Sequence, residues 1–167
     1  MALGTFFSGN ALRAVDAEGR TVLPPFILSV LERRCAGSRL VFGAHESDPC
    51  VSGYDEAYEA KLFEDMERRR LREEGQGVPA AAHHSRARRL FGIVERSAFD
   101  AEGRITLPPM IRRRGRIRDR ALFVGTGGSF EIWDPELARE AGGEELRELV
   151  EFAVAGEAAG EESEVEQ

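Results

Sequence analysis

Apolar residues along this chain fall into short runs separated by turn-forming residues. Residues 12–15 and 94–99 form two such runs, and each leads into Asp-Ala-Glu-Gly. Arg-Thr-Val-Leu follows in the first place and Arg-Ile-Thr-Leu in the second, and both end on paired prolines. Short apolar and β-branched runs joined by an Asp-to-Gly tetrapeptide predict a β-hairpin in each place. Asp16 and Asp100 can accept hydrogen bonds from amides two residues on, and Gly19 and Gly103 can take positive φ. Proline cannot donate to a strand ladder, so Pro24-Pro25 and Pro108-Pro109 close the second strands. The second proline of each pair suits the first turn of a helix. In the first helix Phe26, Ile27, Val30 and Leu31 share one apolar face. In the second, Arg112, Arg113, Arg114, Arg116, Arg118 and Arg120 crowd the segment and leave that face poor.

Two more short strands follow each helix, at 40–42 with 50–54 and at 121–124 with 129–133. Asp55 and Asp134 then stand as helix N-caps, the latter backed by Pro135 at the first helical position. A helix over about 56–74 carries Tyr58, Leu62 and Met66 at spacing four. The helix after Asp134 is expected to break at Gly142-Gly143, with a weak amphipathic segment resuming through Leu146, Leu149 and Val150. From about Ala155 the chain is Glu, Ala and Gly with little apolar material, which predicts disorder.

These elements repeat. Residues 16–25 read DAEGRTVLPP and residues 100–109 read DAEGRITLPP, identical at eight of ten positions with an offset of 84. The expected organisation is a first repeat over 1–74, a linker over 75–85, a second repeat over 86–141 and an acidic tail over 142–167. One copy, of about 65 residues with few large apolar groups, is marginal alone. Exposed hairpin edges must also be paired or covered. The fold class expected is therefore α+β, two repeats interlocked as a pseudo-two-fold unit with a shared core, and prone to oligomerise.

Charge changes the picture because it is uneven. The chain of 167 residues has a net charge of -7. Residues 142–167 hold nine Glu and one Arg, while residues 66–120 hold fifteen Arg against seven acidic residues. A basic middle thus lies behind an acidic tail. Arginine's planar fork suits bidentate contacts to phosphate and guanine. No stretch approaches the roughly 20 apolar residues of a membrane helix, and the N-terminus lacks the pattern of a signal peptide. These point to a cytoplasmic protein with no membrane partner. Cys35 and Cys50 have no metal-binding or disulfide spacing and read as small core hydrophobes. His83-His84 lacks a third ligand, His45 has no evident partner, and no metal or cofactor is expected. Gly127-Gly128 matches no phosphate-binding motif and reads as a turn. Trp133, with Phe130, reads as core or subunit interface.

The duplicated Asp-x-x-x-Arg turn ahead of proline resembles the MraZ family. DAEGRTVLPP with DPCVSGY resembles the first repeat of that family, and RARRLFG, DAEGRITLPP and ALFVGTGGSFEIWD resemble the second. The resemblance covers roughly residues 5–141. It implies an AbrB-like swapped-hairpin fold, a ring-like homo-oligomer, and a regulator of the repressing kind that binds direct repeats in double-stranded DNA upstream of the bacterial division and cell-wall gene cluster. It also implies association with the nucleoid and no small-molecule substrate. In the family the motif arginines face DNA, a role that carries over to Arg20 and Arg104. Two departures stand out: the third motif residue is acidic in both copies, Glu18 and Glu102, and the acidic tail lies beyond the usual end of the second repeat.

On chemistry alone Arg20 and Arg104 serve equally as partners of Asp16 and Asp100 or as DNA contacts. The resemblance favours DNA, with Asp16 and Asp100 shaping the turns and orienting the arginines. Arg13 and Arg96 precede the turns within reach of phosphate, although each alone reads as a solvated strand residue. The arginines at 112–114, 116, 118 and 120, and those at 86, 88 and 89, read as solvated faces, with a non-specific phosphate rail of salt-dependent affinity as the alternative. The alternative function is an AbrB-like protein-interaction or antitoxin-type module that uses the acidic tail. An enzyme would need a converging nucleophile and base, and the duplicated polar residues are only Asp, Glu and Arg at turns.

Overall fold

The structure, a computed structural model, describes residues 5–34 and 39–165, the side chains of 161–165 excepted. Each half runs strand, strand, helix, strand, strand, helix. The first half comprises β1 (Asn10–Ala14), β2 (Arg20–Val22), α1 (Pro25–Arg34), β3 (Arg39–Ala44), β4 (Val51–Tyr54) and α2 (Glu56–Gly75). A connecting helix α3 (Ala80–Ala87) and a π-helical turn (Arg88–Gly92) lead into the second half. That half comprises β5 (Val94–Ala98), β6 (Arg104–Thr106), α4 (Pro109–Gly115), β7 (Arg120–Gly125), β8 (Phe130–Trp133) and α5 (Pro135–Ala141), and α6 (Gly143–Val165) follows. Helix α3 occupies part of the expected linker.

The strands pair across the repeats. A six-stranded antiparallel sheet runs β1-β7-β8-β4-β3-β5, and β2 pairs with β6 as a separate two-stranded ribbon. The two strands flanking each Asp-to-Gly turn are therefore not partners in one ladder, as a local hairpin would require. β1 lies on β7 of the other half, β5 lies on β3, and each turn hands its second strand to the ribbon. A three-residue strand leaves both edges unpaired on its own, and exchange between halves covers them. A pseudo-two-fold axis passes between Thr21 and Ile105 in the ribbon, which face each other in register and are related by the offset of 84.

Alternation along the strands explains the two cores. In β7, Ala121 and Phe123 point to one face of the sheet and Leu122 to the other, as a period of two demands. The first face packs on Ile27, Val30 and Leu31 of α1, Ile111 of α4, and the inward residue Ile105 of the ribbon. The opposite face buries Leu122, Trp133 and Cys50 beneath Leu137 and Ala138 of α5 and Val150 of α6. Cys50 and Trp133 are thus core residues, while Cys35 lies outside the described residues. The segment crowded by arginine still folds as α4, because Ile111, Gly115 and Ile117 supply its buried side. The chain does turn at Gly142-Gly143, with φ +82 at Gly143. Contrary to the expected disorder from Ala155, α6 continues to Val165. Leu146, Leu149, Ala153 and Val154 pack its inner face on the core, which anchors the alanine-rich turns beyond. Among the described residues no helix is long and apolar enough to cross a membrane.

Two buried carboxylates brace the halves symmetrically. Asp55 caps α2 by accepting from the Tyr58 amide at 3.0 Å, and Asp134 caps α5 by accepting from the Glu136 amide at 3.0 Å. Arg34 Nε lies 3.5 Å from Asp55, and Arg118 Nε lies 3.2 Å from Asp134. A carboxylate out of water needs such donors. Arg118 reaches Asp134 from the solvated face, its side chain still 66% exposed.

Candidate nucleic-acid interface

The turn at 16–20 is built by its first residue. The Asp16 carbonyl accepts from the Gly19 amide at 2.9 Å, and its Oδ1 accepts from the amides of Glu18 at 3.0 Å and Arg20 at 2.8 Å. Asp100 repeats the pattern with the amides of Gly103, Glu102 and Arg104 at 3.0, 3.1 and 2.9 Å. Both turns close through a left-handed residue, with φ +86 at Gly19 and +81 at Gly103, a region where a side chain clashes with its own backbone. The remaining oxygen of each aspartate holds the motif arginine. Arg20 Nε donates to Asp16 Oδ2 at 2.6 Å and Arg104 Nε to Asp100 Oδ2 at 2.5 Å.

Register places both arginines on one surface. Arg20 stands opposite Thr106 and Val22 opposite Arg104. Residues two apart share a strand face, so Arg20, Val22, Arg104 and Thr106 form the outer face of the ribbon while Thr21 and Ile105 are buried beneath. The Arg20 and Arg104 side chains remain 65% and 68% exposed despite their ion pairs. Only one edge of each guanidinium is committed to its aspartate. Glu18 and Glu102 also reach Nη2 of Arg20 and Arg104, at 3.3 and 3.4 Å. These bonds hold the Asp16 carboxyl below its usual range, first through the Arg20 amide and then through the guanidinium. Asp100 is lowered as well, first by the Arg104 side chain and then by its amide.

A groove of about 800 Å³ runs beside the ribbon, lined by Arg13, Asp16, Arg20, Val22, Arg104 and Thr106 among others. The structure thus gathers Arg13, Arg20 and Arg104 around one concavity. Arg96 is not among them. It projects from β5 toward α2, where it pairs with Glu59 and lies 3.7 Å from Glu56. Ser97, the repeat equivalent of Arg13, lines the groove instead.

Several arginines expected as solvated faces are engaged. Arg86 bonds Glu73 at 2.8 Å with its side chain largely buried, and Arg89 donates to the Glu46 carbonyl at 2.7 Å. Arg120 bonds Glu157 of α6 at 2.9 Å. Arg112 lies against the first turn, donating from Nη1 to the Ala17 carbonyl at 3.2 Å. The only advance sign of this contact was the offset of 84, which aligns Arg112 with Leu28, a residue that packs on the core in the first half.

His45, Cys50 and Glu131 form the one group of three potential metal ligands among the described residues. Nδ1 of His45 accepts from the amides of Ser47 at 3.2 Å and Asp48 at 2.9 Å, which leaves the ring proton on Nε2, 3.3 Å from Glu131. His45 thus has partners that its place in a loop did not reveal. A cation held between His45 Nε2 and Glu131 would have to displace that proton, while the amide bonds to Nδ1 would stay. Burial and the neighbouring Glu131 push the Cys50 thiol up, away from thiolate chemistry.

No family model matches the chain. Individual relatives do match it. It is 33% identical over 135 residues to the Transcriptional regulator MraZ of Pseudomonas aeruginosa, covering 78% of this chain and 81% of that protein. The protein of the same name from Alcanivorax borkumensis is 31% identical over 130 residues, 78% of this chain and 84% of the relative. That of Saccharophagus degradans is 30% identical over 132 residues, 78% and 83% respectively. With a doubled Asp-x-x-x-Arg turn, an AbrB-like α+β fold and this similarity across most of its length, the chain belongs to the MraZ family.

Proposed function

We propose that this protein is a transcription regulator that binds double-stranded DNA sequence-specifically through the β2-β6 ribbon. The observation that carries this reading is the placement of Arg20 and Arg104 on the ribbon's single outward face, each held at Nε by an aspartate and at Nη2 by a glutamate yet still about two-thirds exposed. A two-stranded ribbon fits the major groove, where an arginine can bond O6 and N7 of guanine together. Val22, exposed between them, offers an apolar contact for a thymine methyl group. Arg13, at the groove wall, contributes a phosphate contact, and Arg96 adds one where its acidic partners on α2 yield to DNA. The regulatory names of the relatives agree with this role.

In this reading the protein acts in the cytoplasm on the nucleoid. It assembles as a ring-like homo-oligomer on direct repeats upstream of the division and cell-wall cluster and represses transcription. Several subunits on several repeats then supply avidity beyond a single contact. The experiment is a fluorescence anisotropy titration with duplex DNA taken from upstream of its operon. Wild-type protein binds that duplex in preference to a scrambled one, and binding weakens with salt. Arg20→Ala or Arg104→Ala costs about 1–3 kcal/mol of discrimination at the base it reads. Equal affinity of wild-type protein for the two duplexes refutes the proposal.

A further inference from the structure

The two turns are built alike but are not electrostatic equals. At each tip one arginine faces two carboxylates, Arg20 with Asp16 and Glu18, and Arg104 with Asp100 and Glu102. Each tip therefore carries a formal excess of negative charge. That opposes approach to a duplex bearing one negative charge per ~1.7 Å of its axis.

What packs over each tip differs. Leu28 of α1 covers the second turn, where a Cβ placed on Gly103 would stand 3.2 Å from its Cδ2. Arg112 of α4 covers the first turn, where a Cβ on Gly19 would stand 2.7 Å from its Nε. The offset of 84 makes Leu28 and Arg112 equivalent positions. Arg112 Nη1 donates to the Ala17 carbonyl at 3.2 Å, its Nε is buried without an acceptor, and no carboxylate pairs with it among the described residues. Its charge is thus uncompensated and held at the first tip. It offsets the excess negative charge there, and Leu28 does nothing comparable at the second.

We propose that Arg112 is a DNA-phosphate-binding residue that makes the first turn the stronger grip on the duplex. This inference rests on the DNA-binding reading above. A guanidinium has five N–H donors, and the Ala17 carbonyl occupies one while fixing the planar group in place. Nε is buried, so it is the free N–H groups on the two Nη nitrogens that meet a phosphate, without the entropy loss of immobilising a free chain. Two identical turns about a two-fold axis would read a palindrome. One strengthened turn gives the protein a direction on its site.

The test titrates a fluorescein-labelled duplex from the DNA preceding its own gene, across a range of salt concentrations. The variants are Arg112→Leu, which installs the residue the other half uses, and Arg112→Gln, which can keep the Ala17 bond and loses the charge. In both, affinity falls several-fold and the slope of log affinity against log salt becomes shallower by about 0.9, one phosphate contact. Leu28→Arg strengthens binding and steepens the slope. Arg20→Ala weakens binding more than Arg104→Ala. A folded Arg112→Gln protein with wild-type affinity and slope shows that Arg112 only packs, and the proposal fails while DNA binding stands. Wild-type protein that ignores the duplex overturns the DNA-binding reading itself.

Discussion

Asp16 and Asp100 do two jobs with two oxygens, one closing the turn and the other aiming an arginine. Asparagine separates these jobs, since its Oδ1 still accepts the amide bonds but carries no charge for the guanidinium. The Asp16→Asn, Asp100→Asn double variant is expected to keep its turns and melt within a few degrees of wild type. It binds duplex DNA several-fold more weakly, because each arginine must then be ordered on binding. Undiminished affinity would show that the aspartates orient nothing. The same pair sets a pH expectation. Both carboxyls lie below the usual value of 3.8 in the folded protein. A depressed carboxylate contributes stability that is present above its unfolded pKa and is lost as pH falls through the folded one. The latch is therefore complete above about pH 4–5 and opens only in stronger acid. Urea midpoints of wild type and double variant should differ by a constant between pH 5 and 8, and converge below.

At the scale of elements, the centre of the sheet depends on one close approach. Gly53 of β4 stands in register with Phe130 of β8, and a Cβ at Gly53 would lie 2.3 Å from the Phe130 ring. That ring is fully buried against Phe7 and Phe123 and cannot swing aside. Gly53→Ala therefore overpacks the join between the halves and costs about 1–3 kcal/mol, read as a lower urea midpoint at unchanged slope. A neutral result would mean that β4 and β8 slide apart cheaply. The strands, the caps and the helices other than α3 are legible in the sequence because proline pairs, Asp caps and apolar runs are local signals. The partner of each strand is not. Residues 12–15 and 20–23 read as a hairpin on any local criterion, and only the cost of open edges pointed to exchange between repeats. The length of helix α6 escapes the sequence pattern for a related reason. Its outer turns lack apolar residues, and what holds the helix is the contact of Leu146, Leu149, Val150 and Val154 with a sheet face visible only after folding. Within the site, duplication exposed Arg20, Arg104 and their aspartates. It could not show that Arg112 crosses to the other repeat's turn, since that contact spans 95 residues.

For the whole molecule, exchange of strands makes the halves mutually dependent. Among the described residues β1 pairs only with β7 and β5 only with β3, and the ribbon needs one strand from each half. The larger core likewise draws Ile27 and Leu31 from the first half and Ile111 and Phe123 from the second. Neither half can bury these side chains alone, so folding is a single event and the two arginines reach a common surface only when both halves are present. The connection between α2 and α3 crosses no ladder, and Gly77 and Pro79 there are exposed. A break at that point spares every strand pair. Residues 1–78 and 79–167 made as separate chains should each show little ordered sheet by circular dichroism. Mixed, they should recover one cooperative melt and one co-eluting species, with DNA binding restored in the mixture alone. If either fragment folds by itself as a monomer, the strands can pair within a repeat, and the interlocked ribbon is not what brings Arg20 and Arg104 together.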